Sequence, residues 1–505
     1  MAKKVSLLFL FLTFSAVTSA PAERTKVLIL GAGAAGITAA KTLHDHGIDD
    51  FIVLEGQDYI GGRIKQASFA GMKVELGANW IQFANEKDNP LMLLRNKYNL
   101  TGHSSNFNDV RIRNIHNQGA GERADMEVFN EWRKKREELF EMGEQRGEED
   151  VPPRDMPVST ALQMLGWTSD TPLKKVLSWL DIDFEYGENE RVTSLNNLGP
   201  PGEDFFITDQ RGIWTLFSDF YSRFKEKILL NKTVVQVKYY NNGVEVTTAD
   251  GDTFSADYGL CTFSSGVLHS GSVTFDPPLP DWKREAIYRL RPVYMTKIFL
   301  KFPSDFWDDN EWILHVSVPN PAHFPAFFDL DRTGFFPGST ALFTTVTGDE
   351  AVRVEAQDDS KTKEEVMEVL RSMYGSNVTN ATEILVSKWS QNQFTLGSWT
   401  DPVIGTDASV FANMAGRVKT LFFAGEGTHG EWYSFMQGAY LSGRDKAKEI
   451  AACIKGGKCE PYQPSTGLPV IVKTQDCHVK SKASHIQMLP VVSLLFWFMF
   501  VIGCS

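Results

Sequence analysis

Three glycines, Gly31, Gly33 and Gly36, stand at G-x-G-x-x-G spacing directly after a short apolar run at residues 27–30. Ala34 sits among them, at the head of an Ala-rich segment that reads as a helix, and a second apolar run at 51–54 ends in Glu55. Each part has a physical role in holding a dinucleotide. Gly31 permits a tight turn, Gly33 lets backbone approach a pyrophosphate, and Gly36 allows helix and strand to pack closely. The helix start offers unpaired N–H groups and partial positive charge to phosphates. Glu55 can accept hydrogen bonds from a ribose diol. Strand, turn, helix and acid occur in the order the motif requires, so residues 26–55 are expected to be a dinucleotide site.

The elements that must position this site span most of a long chain. At 505 residues it exceeds one typical core, and two connected domains are the default. Hydrophobic content of 42% and charged content of 23% are ordinary globular values. A formal net charge of −12 argues against nucleic acid as a partner and is compatible with cationic substrates. Residues 26–103, 215–300 and 395–455 read as strand and turn with nucleotide-domain character. Residues 104–214 hold a charged helical stretch from Glu127 to Asp150, and 301–394 are aromatic-rich with strand alternation and an amphipathic helix near Lys361 to Met373. The pattern predicts a discontinuous cofactor domain with a substrate domain, 104–214 and 301–394, inserted into it. Residues 231–247 read as a hairpin turning at Asn241-Asn242-Gly243.

The ends read as processing signals. Lys3 and Lys4, an apolar run from Val5 to Val17, and small residues up to Ala20 have the order of a secretory signal peptide over 1–20. At the other end, a polar stretch after 461 precedes an uncharged run from Met488 to Gly503. That fits a GPI-type attachment signal, with a retained single-pass anchor as the alternative. The sequons at Asn99, Asn231, Asn377 and Asn380 agree with secretion. In an oxidising compartment Cys453 and Cys459, flanking IKGGK, are expected to form a disulfide contributing about 2 kcal/mol. Cys261, in an apolar run, reads as a buried structural thiol. No Cys or His spacing indicates a metal.

Five further strings carry a resemblance: Gly61-Gly62-Arg63; Glu75-Leu76-Gly77-Ala78-Asn79-Trp80; FDPPLP from Phe275; Lys297 within YMTKIFLKF; and Phe423-Ala424-Gly425-Glu426 ahead of GAYLSG from Gly438. Together these resemble the flavin amine oxidases, most closely the secreted polyamine oxidases, from about Lys26 to Cys459. The resemblance implies an α/β fold: a Rossmann-type FAD-binding domain beside a discontinuous mixed-sheet α+β substrate domain. It implies that Arg63 meets a phosphate, that Val234 contacts the adenine edge by backbone, and that Glu426 binds the ribityl or phosphate region. A helix opening near Phe435 to Gly438 would aim its N-terminus at the flavin pyrimidine ring. Ser398 stands where the monoamine branch has a flavin-tethering cysteine, so FAD is expected to be noncovalent.

On the catalytic face, Lys297 matches the lysine that holds a water near the flavin. Trp399 and Phe435 match the two aromatics flanking the substrate nitrogen. Glu185, with Glu188 nearby, matches an acidic residue of the polyamine tunnel. Three departures bear on selectivity. Gln82 replaces the usual Glu or His, Met295 replaces a tyrosine with Tyr294 one step off, and Phe435 stands where tyrosine is common. The expected activity is oxidation of spermine, spermidine or their acetyl forms, with O2 as acceptor, giving an aldehyde, an amine and H2O2. An L-amino-acid oxidase ranks second, because the Asn79-Trp80 string lacks a carboxylate-binding arginine. A non-catalytic surface flavoprotein ranks third. Apart from amine and O2, the membrane is an expected partner only through the C-terminal anchor, and oligomeric state is left open.

Overall fold

The computed structural model describes residues 23–465 apart from 88, 115–120, 148–152, 200–201, 317–319 and 321. The expected leader and C-terminal signal, with Cys477 and Cys504, lie outside the described residues. None of the described helices is long and apolar enough to cross a membrane.

The apolar run before the glycines becomes the strand Glu23–Leu30, whose residues Val27, Leu28, Ile29 and Leu30 are fully buried. Burial on both faces is what a parallel strand covered by helices requires. Phe51–Leu54 and Thr253–Cys261 flank it in parallel, and Ile228–Leu229 extends the sheet beyond Phe51–Leu54. The strand Thr253–Cys261 is shared along its outer edge. Its first half pairs antiparallel with Val244–Thr248 and its second half pairs parallel with Leu421–Phe423. Val234–Tyr239 and Val244–Thr248 form the expected hairpin. Thr274–Asp276 closes the edge and completes eight strands.

The helices Ala34–Asp45 and Met436–Gly456 lie on this sheet and touch through glycine. A Cβ on Gly36 would stand 2.0 Å from the Gly31 carbonyl oxygen, and one on Gly443 would stand 2.2 Å from that of Ala35. Neither backbone can yield without moving an element. Gly36→Ala should therefore lower stability by about 3 kcal/mol or more, because overpacking against backbone outweighs a helix-propensity gain of about 1 kcal/mol. A melting temperature for Gly36→Ala equal to that of the parent would contradict this packing.

A second sheet of six strands runs Glu383–Val386, Met295–Lys301, Ala341–Thr347, Ala326–Asp329, Trp312–His315, Val110–Arg113. All neighbours are antiparallel except the last pair, so the sheet is mixed. One face carries an aromatic core in which Phe206 stacks on Phe328 and Phe328 on Phe343. Trp80 meets Phe184, Phe206 and Phe328 edge-on there. Trp80–Ile81 belongs to a small sheet with Phe205–Ile207 and Gly102–Ser104, which brings the Asn79-Trp80 string to this core.

One boundary is corrected. The stretch 215–300 was expected to belong wholly to the cofactor domain, but Met295–Lys301 lies in the six-stranded sheet. The chain crosses just before it, where Leu290–Val293 pairs with Trp399–Pro402. The helices Gly121–Gly147 and Asp359–Tyr374 cover the charged and amphipathic stretches. Cys453 and Cys459 are joined, and Cys261 is buried and free. All four sequon asparagines are exposed.

Candidate active site

A cavity of about 600 Å³ runs from the glycine turn to the aromatic core of the second sheet. At one end, Gly31 has φ +112° and leads into the helix beginning at Ala34, with Gly33 as its N-cap. A Cβ on Gly33 would find nothing closer than the Gly61 carbonyl oxygen at 3.9 Å. Protein packing therefore does not demand glycine at 33. The space beside it, lined by Gly31, Gly33, Ala34, Gly61, Gly62 and Arg63, suits a pyrophosphate held by backbone N–H groups.

Glu55 is buried at the end of Phe51–Leu54, where its carboxyl accepts from the Ala32 N–H at 2.8 Å and the Gln57 N–H at 2.9 Å. Those bonds fix the carboxyl at the cavity wall. Burial raises its pKa while the backbone donors hold it down. Val234 lines the same wall with Lys232, Thr233 and Val235, and the hairpin register slips between Val234 and Gln236. A β-bulge of this kind frees backbone groups from the ladder.

Farther along, Arg63 Nη1 donates to Glu426 Oε1 and to the Ser398 carbonyl, each at 3.0 Å. Glu426 also accepts from the Thr400 hydroxyl at 2.7 Å and the Ser434 N–H at 3.2 Å. Its carboxylate thus anchors Arg63 and a second glycine turn, Gly425 at φ +140°, to the cavity wall. The helix Met436–Gly456 begins at this wall with Phe435 as an N-cap that makes no side-chain hydrogen bond. The Gly438 N–H is bonded to the Phe435 carbonyl at 3.1 Å, which leaves the Met436 and Gln437 N–H groups for an acceptor in the cavity. Ser398 Oγ is engaged with the Met295 N–H and carbonyl and carries no thiol.

The far end holds the groups expected to face substrate. Lys297, only 5% exposed, projects from Met295–Lys301 and donates to the Gly77 carbonyl at 2.7 Å, Asn79 Oδ1 at 3.3 Å and the Glu75 carbonyl at 3.4 Å. Burial pulls its pKa down to about 7, with the Glu75 carboxylate opposing. Its ammonium lies 5.1 Å from the Trp80 ring centre. Trp399 and Phe435 both line the cavity, with Phe435 set edge-on against Phe83 at 5.5 Å. Gln82 lines it too, its backbone carbonyl accepting from Asn89 and Gln437.

Glu185 and Asp204 line the same end. Burial, and for Glu185 also the neighbouring Asp204, raise both carboxyls above their ordinary range. Glu188, expected beside Glu185, turns instead toward Arg291, whose Nε is 3.8 Å from its carboxylate. A carboxylate three residues from Glu185, across the left-handed Gly187 at φ +73°, leaves on another face. Met295 lines the cavity, whereas Tyr294 packs into the apolar core behind the sheet, as strand alternation requires. Sequence reasoning missed Asp204, which sits in a Pro-Gly-rich loop with no motif. Glu75 and Asn79 stand in the ELGANW string, which by itself assigns them no role. No group of three or more potential metal ligands occurs among the described residues.

A sheet with a parallel core, a glycine cradle at its end and a buried lysine on the same cavity wall as two aromatics are the features of a flavin-dependent amine oxidase. The chain matches the profile of the flavin containing amine oxidoreductase family over residues 34–451, and it belongs to that family. It is 34% identical over 469 residues to polyamine oxidase 1 of Zea mays, covering 86% of this chain and 92% of that one. Lysine-specific histone demethylase 2 of Homo sapiens is 28% identical over 458 residues, covering 84% of this chain and 53% of that protein. A putrescine oxidase structure with bound putrescine superposes with a TM-score of 0.68 at 16% identity, covering 86% of this chain and 100% of the other, and shows the shared fold. The cofactor is FAD.

Proposed function

We propose that this protein oxidises polyamines, spermine, spermidine or their acetylated forms, with O2 as electron acceptor, releasing an aldehyde, an amine and H2O2. Bound without a covalent link, FAD would supply a two-electron acceptor for the carbon next to the reacting nitrogen and a two-electron donor to O2. Gly31, Gly33, Arg63 and the helix start at Ala34 would hold its pyrophosphate, with Glu55 on the ribose. The observation that carries the substrate class is the placement of two carboxyls, Glu185 and Asp204, in the cavity that also holds Lys297, Trp399 and Phe435.

The chain's own groups divide the work. Trp399 and Phe435 present ring faces that orient a neutral nitrogen. Glu185 and Asp204 attract a distal ammonium and so set which nitrogen reaches the rings. Lys297, half deprotonated near pH 7, can hold a water and exchange protons with it. Gln82 supplies hydrogen bonds without charge, leaving cation recognition to the far carboxyls.

Two outcomes follow for spermine. Glu185→Gln should raise its KM about 10- to 100-fold, the loss expected for a charge-assisted hydrogen bond, while a short monoamine is little affected. Because the Glu185 pKa is raised, ionised carboxylate appears only as pH climbs, so the parent KM for spermine should fall from pH 6 to 8. Equal effects of Glu185→Gln on spermine and the monoamine would contradict the assignment. The overall reading is tested by an amine panel scored by anaerobic flavin bleaching with mass analysis of the products. Bleaching by L-leucine and not by spermine would overturn it.

For location, we propose the secretory pathway and a GPI-tethered cell-surface enzyme, in keeping with the Cys453–Cys459 disulfide. Release from cells by a phosphoinositide-specific phospholipase tests the tether. Retention after the enzyme is added would favour a spanning anchor.

A further inference from the structure

Amine oxidation moves protons through a site whose lysine is buried. A bound ammonium must lose a proton before it can react, attack of water on the iminium releases another, and reduction of O2 to H2O2 takes one up. The Lys297 amine is buried on the wall of the large cavity. Behind it lies a second, small cavity of about 10 Å³, room for roughly one water molecule. Asn79 lines both cavities and accepts from Lys297 Nζ.

Glu75 forms the inner wall of the small cavity. It is 4% exposed; one carboxyl oxygen accepts from the Ile213 N–H at 2.8 Å, and the other, also buried, makes no hydrogen bond of normal geometry. Burying an unsatisfied carboxylate oxygen is costly unless a water or a proton meets it. The remaining polar walls are Gln66, which reaches toward the Glu75 carboxyl, and, farther out, Asp209 and the exposed Lys73. Asp209 is itself paired with the exposed Arg211 at 2.7 Å. Phe206, Ile207, Phe299, Leu330 and Phe336 supply apolar walls, which confine a water to this polar line.

We propose that Glu75 is a positioning and proton-exchanging residue for Lys297, and that the small cavity beside it holds the water with which its carboxyl exchanges protons. The transfer is a proton hop only: an N–H bond of Lys297 breaks as an O–H bond forms on a water placed between the two side chains, that water passes a proton to the Glu75 carboxylate, and the reverse hop restores both. The pair keeps its net charge whichever partner holds the proton, so the hop moves no net charge out of the buried pair. Burial places both groups in the same range, Glu75 raised to about 7 and Lys297 lowered to about 7. Lys297 is the charged group facing Glu75, while Lys73, Asp209 and Arg211 stand toward the outer end.

The inference rests on the amine oxidase reading, and its test separates the two. Glu75→Gln keeps an acceptor for the Ile213 N–H but cannot ionise. In the FAD-loaded protein without substrate, infrared titration should show a protonated carboxyl band that disappears as pH rises through about 7 and is missing from Glu75→Gln. In stopped-flow reoxidation by O2, Glu75→Gln should move the Lys297 inflection at least tenfold lower in proton affinity terms, that is, downward by about one pH unit, and Glu75→Asp should restore it in part. Gln66→Leu, which leaves Glu75 in place, should enlarge the solvent deuterium isotope effect on the same step. An infrared spectrum of Glu75→Gln unchanged from the parent, or an unmoved inflection in a variant still bleached by amine, overturns the proposal. If Glu75→Gln does not fold, Glu75→Asp and Gln66→Leu decide it. A parent flavin that no amine bleaches would defeat the oxidase reading, while the infrared titration would still decide Glu75.

Discussion

Gly33→Val should give a folded, colourless protein. At φ −77° the residue needs no glycine for its own backbone, and an added Cβ meets no protein atom within 3.9 Å. The valine methyls instead occupy the space assigned to the pyrophosphate. Overpacking of that size costs about 3 kcal/mol, which is roughly a 100-fold loss of FAD affinity. The melting temperature of the apoprotein should stay within a degree or two of the parent's, about what a surface change produces. Gly36→Ala should behave in the opposite way, lowering stability through the 2.0 Å approach to the Gly31 carbonyl oxygen. A Gly33→Val protein that purifies with stoichiometric flavin would show that the pyrophosphate does not lie against this turn.

Lys297→Met should leave the flavin bound and slow its reoxidation by O2 about 100-fold, the lower range for loss of a positioned acid–base group. The lysine makes its hydrogen bonds to carbonyls and to Asn79, so methionine can fill the volume while removing the proton donor and the charge. The parent rate of flavin reduction should rise from pH 6 to 8, since the reacting amine must lose a proton and Lys297, lowered to about 7 by burial, titrates in the same window beside it. In Lys297→Met the inflection near pH 7 should vanish, leaving that of the substrate. Rapid-mixing spectra across that range read both effects. Unchanged reoxidation kinetics in Lys297→Met would remove the lysine from the mechanism.

The cofactor half of the site was legible because its geometry is local. Three glycines, a helix start and Glu55 fall within one strand-turn-helix-strand unit, and each residue type is dictated by backbone shape within a few positions. The disulfide was legible for the same reason, its two cysteines closing a short turn. The substrate half was less so. Lys297 was identified only through resemblance, and its strand was placed in the wrong sheet, because an alternating run such as YMTKIFL does not say which sheet it joins. Glu188 was grouped with Glu185 by proximity in sequence, yet a left-handed glycine between them sends the two side chains to different neighbours. Asp204 reaches the cavity from a loop almost twenty residues beyond Glu185, a meeting created by the pairing of Phe205–Ile207 with Trp80–Ile81. Glu75 stands in a quoted motif, but its significance depends on a small cavity that packing of the second sheet creates.

In the proposed function, FAD in the large cavity takes electrons from a polyamine. The most direct measurement is anaerobic addition of spermine to the purified yellow protein, followed in the visible flavin band. Bleaching within the turnover time, then recovery of colour with H2O2 when air is admitted, is the expected result. A protein that stays colourless when supplied with FAD, or a flavin that no polyamine bleaches, would contradict it.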